Sequence, residues 1–139
     1  MRKRTLARTY ALQVLYQMDI TGDNYAECLE NFWQSLEDIV EDSVKEFAFE
    51  LVKGVRDNLE TIDKRISEYA DNWQIERMAF IDRNVLRLSC YELIFRNDIP
   101  PKVSINEAVE LAKKFSGIES GKFVNGILDR IKSEKDKSC

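Results

Sequence analysis

The chain contains no histidine, which removes the commonest general base and the commonest metal-binding side chain. Its cysteines, Cys28, Cys90 and Cys139, are few, odd in number and widely spaced. They form neither a zinc motif nor a disulfide framework, and they fit a reducing cytosol, so a cytoplasmic location is expected. The only two prolines are adjacent, at 100 and 101, and only Gly22 and Gly54 interrupt the sequence before them. The main local breakers of helices are therefore scarce. Period-2 alternation is absent too, which argues against strands. No apolar run approaches the roughly 18–20 residues of a membrane span. The charged N-terminus lacks the continuous apolar core of a secretory signal. A glycine-rich phosphate loop and a nucleophile elbow are also missing. The acid pairs Glu37-Asp38 and Glu41-Asp42 read as solvated helix ends rather than acid–base machinery.

What remains is a chain of 139 residues, one third charged, expected to form a single domain with a real core. The net charge of −4 is unevenly spread. Residues 1–18 carry Arg2, Lys3, Arg4 and Arg8 and no acid, whereas residues 19–50 carry ten acids and one base, Lys45. Residues 100–139 are mildly basic. This polarity points to a localised anion-binding face.

Apolar spacing predicts helices throughout. A first helix is expected from about Thr5 to Asp19, with Ala7, Ala11, Val14, Leu15 and Met18 on one side. The turn cluster Thr21-Gly22-Asp23-Asn24 ends it. A second spans roughly Tyr25 to Val40, with Leu29, Phe32, Trp33 and Leu36 inward. A long third helix opens with Ser43 and Glu46 as a capping box and runs to about Ala70 through Phe47, Leu51, Val55, Leu59, Ile62, Ile66 and Tyr69. Gly54 inside it suggests close approach of another helix. Asp71 to Met78 reads as a connector with a short helical turn. Three helices follow. One carries Ile81, Val85, Leu88, Tyr91 and Phe95 and stops at Asn97-Asp98-Ile99-Pro100-Pro101. The next opens at Ser104, where Ser104-Ile105-Asn106-Glu107 has the form of a capping box, and ends at Ser116-Gly117. The last carries Phe123, Val124, Ile127, Leu128 and Ile131, with a frayed tail expected over 133–139. The fold class is all-α, a single compact bundle of six or seven helices.

With no catalytic constellation, binding is the expected activity. Arginine pairs with phosphate in a bidentate way. Arg4 and Arg8 are one turn apart, and Tyr10, Gln13 and Tyr16 follow, with stacking and hydrogen-bonding capacity suited to unpaired bases. Packing of Tyr10 at the core edge accounts for its spacing equally well. Cys90, within an apolar series, reads as a buried thiol.

Several blocks together resemble one family. Arg4-Thr5-Leu6-Ala7-Arg8 with Ala11-Leu12-Gln13-Val14-Leu15-Tyr16, Asp82-Arg83-Asn84-Val85-Leu86-Arg87-Leu88 with Tyr91-Glu92-Leu93, the block from Val103 to Lys113, and Lys122-Phe123-Val124-Asn125-Gly126-Ile127-Leu128-Asp129 are similar to the transcription antitermination factor family NusB. The resemblance spans nearly the whole chain in order. It implies two packed helical subdomains, no catalysis and no cofactor. It implies single-stranded boxA RNA of ribosomal RNA transcripts as ligand and the ribosomal small-subunit protein NusE as partner. The complex then joins the elongating RNA polymerase with other Nus factors, away from any membrane. By matching position, the RNA-binding residues are Lys3, Arg4, Arg8, Gln13, Glu119 and Lys122, and the partner-binding residues are Tyr16, Glu76, Asp82 and Phe115. The basic arm is thinner than in many members, because Thr5 and Leu6 interrupt it, which raises the importance of the partner. Asp82 also suits a helix first turn, and Arg87 suits an ion pair. Phe115 and Phe123 suit core faces. Two further readings are a helical adaptor without RNA binding and an RNA-binding accessory to an rRNA-modifying enzyme. NusB-like domains also open some rRNA cytosine methyltransferases, whose long catalytic domain is not expected here.

Overall fold

A computed structural model describes residues 2–70 and 74–137, with side chains described as far as residue 134. Among the described residues it contains seven α-helices, one 3-10 turn and no strand. The chain divides into two compact units, Met1–Asp57 and Asn58–Cys139.

The first unit holds α1 (Lys3–Thr21), α2 (Tyr25–Ser35) and α3 (Asp42–Asp57). Helix α1 starts two residues before the expected Thr5, so the basic arm is itself helical. Ala7, Ala11, Leu12 and Val14 are fully buried, with Leu15 and Met18 nearly so. Helix α1 packs on both α2 and α3. Gly22 ends it with φ 76, a left-handed conformation that costs an L side chain strain, and donates its N–H to Met18 O. Asn24 then opens α2, its Oδ1 accepting the Ala26 N–H at 2.8 Å.

The expected second helix to Val40 is too long, because α2 ends at Ser35. Ser35 Oγ donates to Phe32 O at 2.7 Å, a local bond that competes with helix continuation. Carrying the helix on would also place Glu37 and Asp38 at its negative end. Leu36 instead turns extended and Ile39 lies fully in solvent. Ser43 is not the cap of α3: the helix already includes Asp42, and Glu41 O accepts the N–H groups of Val44 and Lys45.

The single long helix expected over 43–70 is in fact two. Asn58, at φ −118 and ψ 21, separates α3 from α4 (Leu59–Tyr69). Asparagine favours such a break because its side chain competes for backbone hydrogen bonds. The apolar spacing passes across it without losing phase: Val55, Ile62 and Ile66 are all buried.

The second unit continues from α4 through a 3-10 turn, η1 (Ile75–Arg77), to α5 (Phe80–Phe95), α6 (Pro101–Phe115) and α7 (Ile118–Lys137). The expected connector from Asp71 to Met78 contains the short turn at η1, while residues 71–73 lie outside the described ones. The second capping box also fails. Pro100 occupies the N-cap and Pro101 opens α6, where a missing N–H costs nothing. Ser104 is therefore inside the helix and buried, and its Oγ donates to buried Glu92 Oε1 at 2.8 Å. Ser89 Oγ donates to Ser104 O at 3.2 Å, so the same residue ties α6 to α5 twice. Gly117, at φ 120, ends α6. Helices α6 and α7 approach closely at Gly121, where a Cβ would lie 2.9 Å from Lys113 Cγ. Val124, Leu128 and Ile131 complete the core from α7. Helix α7 is described through Lys137, so the expected tail is helical to that point, and Ser138 and Cys139 lie outside the described residues.

Two polar clamps hold α4. Arg87 of α5 forms a bidentate pair with Asp63, Nε donating at 2.8 Å and Nη2 at 3.0 Å, as its ion-pairing reading expects. Arg130 of α7 donates to Tyr69 O at 2.9 Å and lies 5.5 Å from the Tyr69 ring centre. Cys90 is fully buried, and that burial pushes its thiol up to about 12.

Candidate nucleic-acid and partner interface

The family resemblance assigns Lys3, Arg4, Arg8 and Gln13 to RNA binding, and spacing expects Arg4 and Arg8 on one side. The structure separates them. Arg4 and Arg8 do share a side, one helical turn apart, and both guanidiniums lie over the Phe47 ring of α3, at 4.5 and 5.5 Å from its centre. Arg4 remains exposed, but Arg8 is only 2% exposed, so its stem and charge are part of the α1–α3 packing. Lys3 is exposed and forms an ion pair with Glu41 at 2.9 Å. That hydrogen bond raises the Lys3 pKa above its usual value, so the ammonium stays charged through the physiological range. Gln13 is exposed and, at about 100° per residue, lies roughly half a turn around α1 from Arg4.

Tyr16, 37% exposed, sits further along α1. Tyr10 takes the core-edge role. Its ring meets Phe32 and Trp33 edge-on at 5.5 and 5.6 Å, and those two rings meet each other at 5.4 Å. Lys45, the one base of the acidic segment, lies 5.8 Å from the Trp33 ring centre.

In the second unit the expected residues fall at two places. Glu76, exposed in η1, and Asp82, in the first turn of α5, flank one corner. Arg83 fixes that corner. Its Nη1 donates to Ile75 O and Glu76 O, each at 3.3 Å, while its guanidinium lies 4.4 Å from the Phe80 ring centre. Asp82 Oδ1 is buried with no hydrogen-bond partner among the described residues. At the α6–α7 turn, Phe115 is half-buried with Lys114 Nζ 5.5 Å from its ring centre. Glu119 and Lys122, one turn apart on α7, form a highly exposed ion pair at 3.6 Å. Phe123 is half-buried rather than fully in the core.

Sequence reasoning missed Glu41, Phe47, Phe80 and Arg83 as parts of these surfaces. Glu41 lay in an acidic run and Phe47 in an apolar series, so each already had a sufficient local explanation. Only the pairing of helices distant in sequence brings Phe47 beneath two arginines. Phe80 precedes the apolar series of α5 by one residue, and no signal in the sequence marked it as exposed. Among the described residues, no three cysteine, aspartate or glutamate side chains gather as a metal site, and no helix is long and apolar enough to cross a membrane.

Comparison with known proteins gives a consistent result. The NusB family matches residues 5–133. The transcription antitermination protein NusB of Thermodesulfovibrio yellowstonii is 45% identical over 141 aligned positions, covering 96% of this chain and 93% of the relative. The crystal form of T. maritima NusB superposes with a TM-score of 0.85 at 39% identity, covering 99% of this chain and 96% of that one. The antitermination factor NusB, crystallised with NusE and double-stranded RNA, is matched with a TM-score of 0.88 at 34% identity, covering 96% and 98%. Sequence and fold agree along almost the full length, and this chain belongs to the NusB family.

Proposed function

We propose that this protein is a transcription antitermination factor that acts by binding rather than by catalysis. It takes up single-stranded boxA RNA of ribosomal RNA transcripts together with NusE, in the cytoplasm, and joins the elongating polymerase with other Nus factors. The observation that carries this reading is the likeness, over nearly the whole chain, to the NusB of a NusB–NusE–RNA complex. Residues 1–139 form one functional module in this reading, although the chain comprises two compact units.

Lys3, Arg4, Gln13 and Lys122 are the exposed candidates for direct RNA contact, with Glu119 beside Lys122. Arg8 supports the arm from beneath through its place on Phe47. Tyr16, Glu76, Asp82 and Phe115 serve the protein partner. Three neutralised phosphates give a log–log salt slope of about −2, at roughly 0.7 per phosphate.

The test is a titration of labelled boxA RNA and a scrambled RNA, with and without NusE. Selective, salt-sensitive binding strengthened by NusE is expected. Arg4→Ala weakens it and Glu37→Ala does not. Equal affinity for both RNAs under every condition rejects the reading.

A further inference from the structure

We infer that Glu41 restrains the RNA affinity of this protein: its carboxylate holds the Lys3 ammonium in the contact that an RNA phosphate must take over. This inference rests on the proposed assignment of Lys3 to RNA binding.

The contact joins two helix starts within the first unit. Lys3 is the first residue of α1, and Glu41 immediately precedes α3. Lys3 Nζ lies 2.9 Å from Glu41 Oε2, with the side chains 66% and 65% exposed. Both ends of the contact are anchored. Glu41 O accepts the N–H groups of Val44 and Lys45 at 3.1 and 3.2 Å, which fixes Glu41 at the head of α3. Arg2 O accepts the Leu6 N–H at 2.9 Å, so the arm is already helical at Lys3. Arg4 and Arg8, over the Phe47 ring, keep the two helix starts side by side. The acidic segment that follows the arm in sequence thus returns to it in space.

A carboxylate oxygen at that distance makes the same charge-assisted bond that a phosphate oxygen makes. Lysine keeps two further donors, but a phosphate reaching them lies beside the carboxylate and is repelled. Glu41 therefore opposes RNA whether it is displaced or stays in place. The raised Lys3 pKa reports the same attraction, since the hydrogen bond and charge of Glu41 hold the proton on the ammonium. Exposure keeps the restraint small and reversible, because a solvated pair opens without leaving a buried charge. Glu37, in the same loop, is exposed and forms no ion pair among the described residues.

The experiment is a titration of labelled boxA and scrambled RNA with the full chain and NusE at constant salt. It uses Glu41→Gln, Lys3→Gln, the double variant and Glu37→Gln. Glu41→Gln keeps the size of the side chain and removes its charge. It is expected to tighten RNA binding about threefold, the scale of an exposed ion pair. Loss of folding does not produce such a gain. Glu37→Gln stays at the wild-type value. In the Lys3→Gln background the Glu41 substitution makes no difference, because the two side chains act as one interaction. An equal gain from Glu37→Gln, or a gain that persists without Lys3, assigns the effect to net charge and overturns the role of this contact. No gain from Glu41→Gln, in a wild-type background that binds boxA selectively, overturns this inference alone and leaves the RNA-binding reading standing. If the wild-type chain does not favour boxA over scrambled RNA, that reading fails and takes this inference with it.

Discussion

Removing one side of the Arg87–Asp63 pair should unfold the protein several degrees earlier. The two side chains are 12% and 23% exposed, and the contact is bidentate, at 2.8 and 3.0 Å. Breaking a fully buried pair costs about 3–5 kcal/mol, because the remaining charge is left uncompensated. Here partial water access reduces that to about 2–3 kcal/mol. Arg87 Nη1 also donates to Asn84 Oδ1 at 3.3 Å, and the Asn84 amide donates to Phe80 O at 2.8 Å. Arg87→Ala therefore also strips buried Asn84 of a donor and should cost more than Asp63→Ala. For 139 residues the unfolding entropy is about 0.3 kcal/mol/K, so a loss of 2–3 kcal/mol lowers the midpoint by roughly 7–10 °C. Circular dichroism melts of both single variants and the double variant provide the measurement. The double variant should lose less than the sum of the singles, because the pair is one interaction. Single shifts under about 2 °C, or strict additivity, refute the account.

Three other outcomes are expected. Ser104→Ala leaves the Glu92 carboxylate without its hydroxyl donor, and denaturant titration should show a loss of about 1–3 kcal/mol; an unchanged midpoint contradicts the α5–α6 lock. Gly22→Ala forces an alanine to φ 76 and should cost about 1 kcal/mol, read in the same assay, whereas Gly126→Ala, with open space around the Cβ position, should not. The raised thiol of Cys90 stays protonated in the fold while the unfolded thiol ionises near 9.0, so its contribution is complete below 9.0 and is lost as pH climbs toward about 12. The wild-type stability curve should therefore fall by about 1.4 kcal/mol per pH unit more steeply than that of Cys90→Ala over this range, and parallel curves disprove it.

Helical content, the core faces of α1 and α7 and the breaks at Gly22, Pro100 and Gly117 were legible because each is set by a few neighbouring residues, whereas the stripe expected on α5 holds at Val85 and Leu88 but fails at Phe95, which is 41% exposed. Apolar side chains recurring every three or four positions define a buried stripe, and glycine or proline ends it through its own backbone preferences. Helix starts were harder. Ser43 and Ser104 both carried the capping pattern, yet Asp42 and Pro101 entered the helices first. The break at Asn58 was hidden because Val55, Ile62 and Ile66 keep one period across it. Helix α2 ends at Ser35, where Leu36 turns extended, and periodicity does not register that stop.

The sequence alone determined an all-helical chain, a basic arm ahead of an acidic segment, and the residue blocks that match the NusB family. Those properties are local or compositional. Only the tertiary structure decided that Arg8 is buried against Phe47 while Arg4 stays exposed, that Lys3 is paired with Glu41, and that Ser104 bonds Glu92 instead of capping a helix. It likewise left Asp82 Oδ1 without a donor beside an exposed Phe80. Each of these depends on which helices face one another, and a side chain's charge or polarity does not specify the partner that chain folding brings to it.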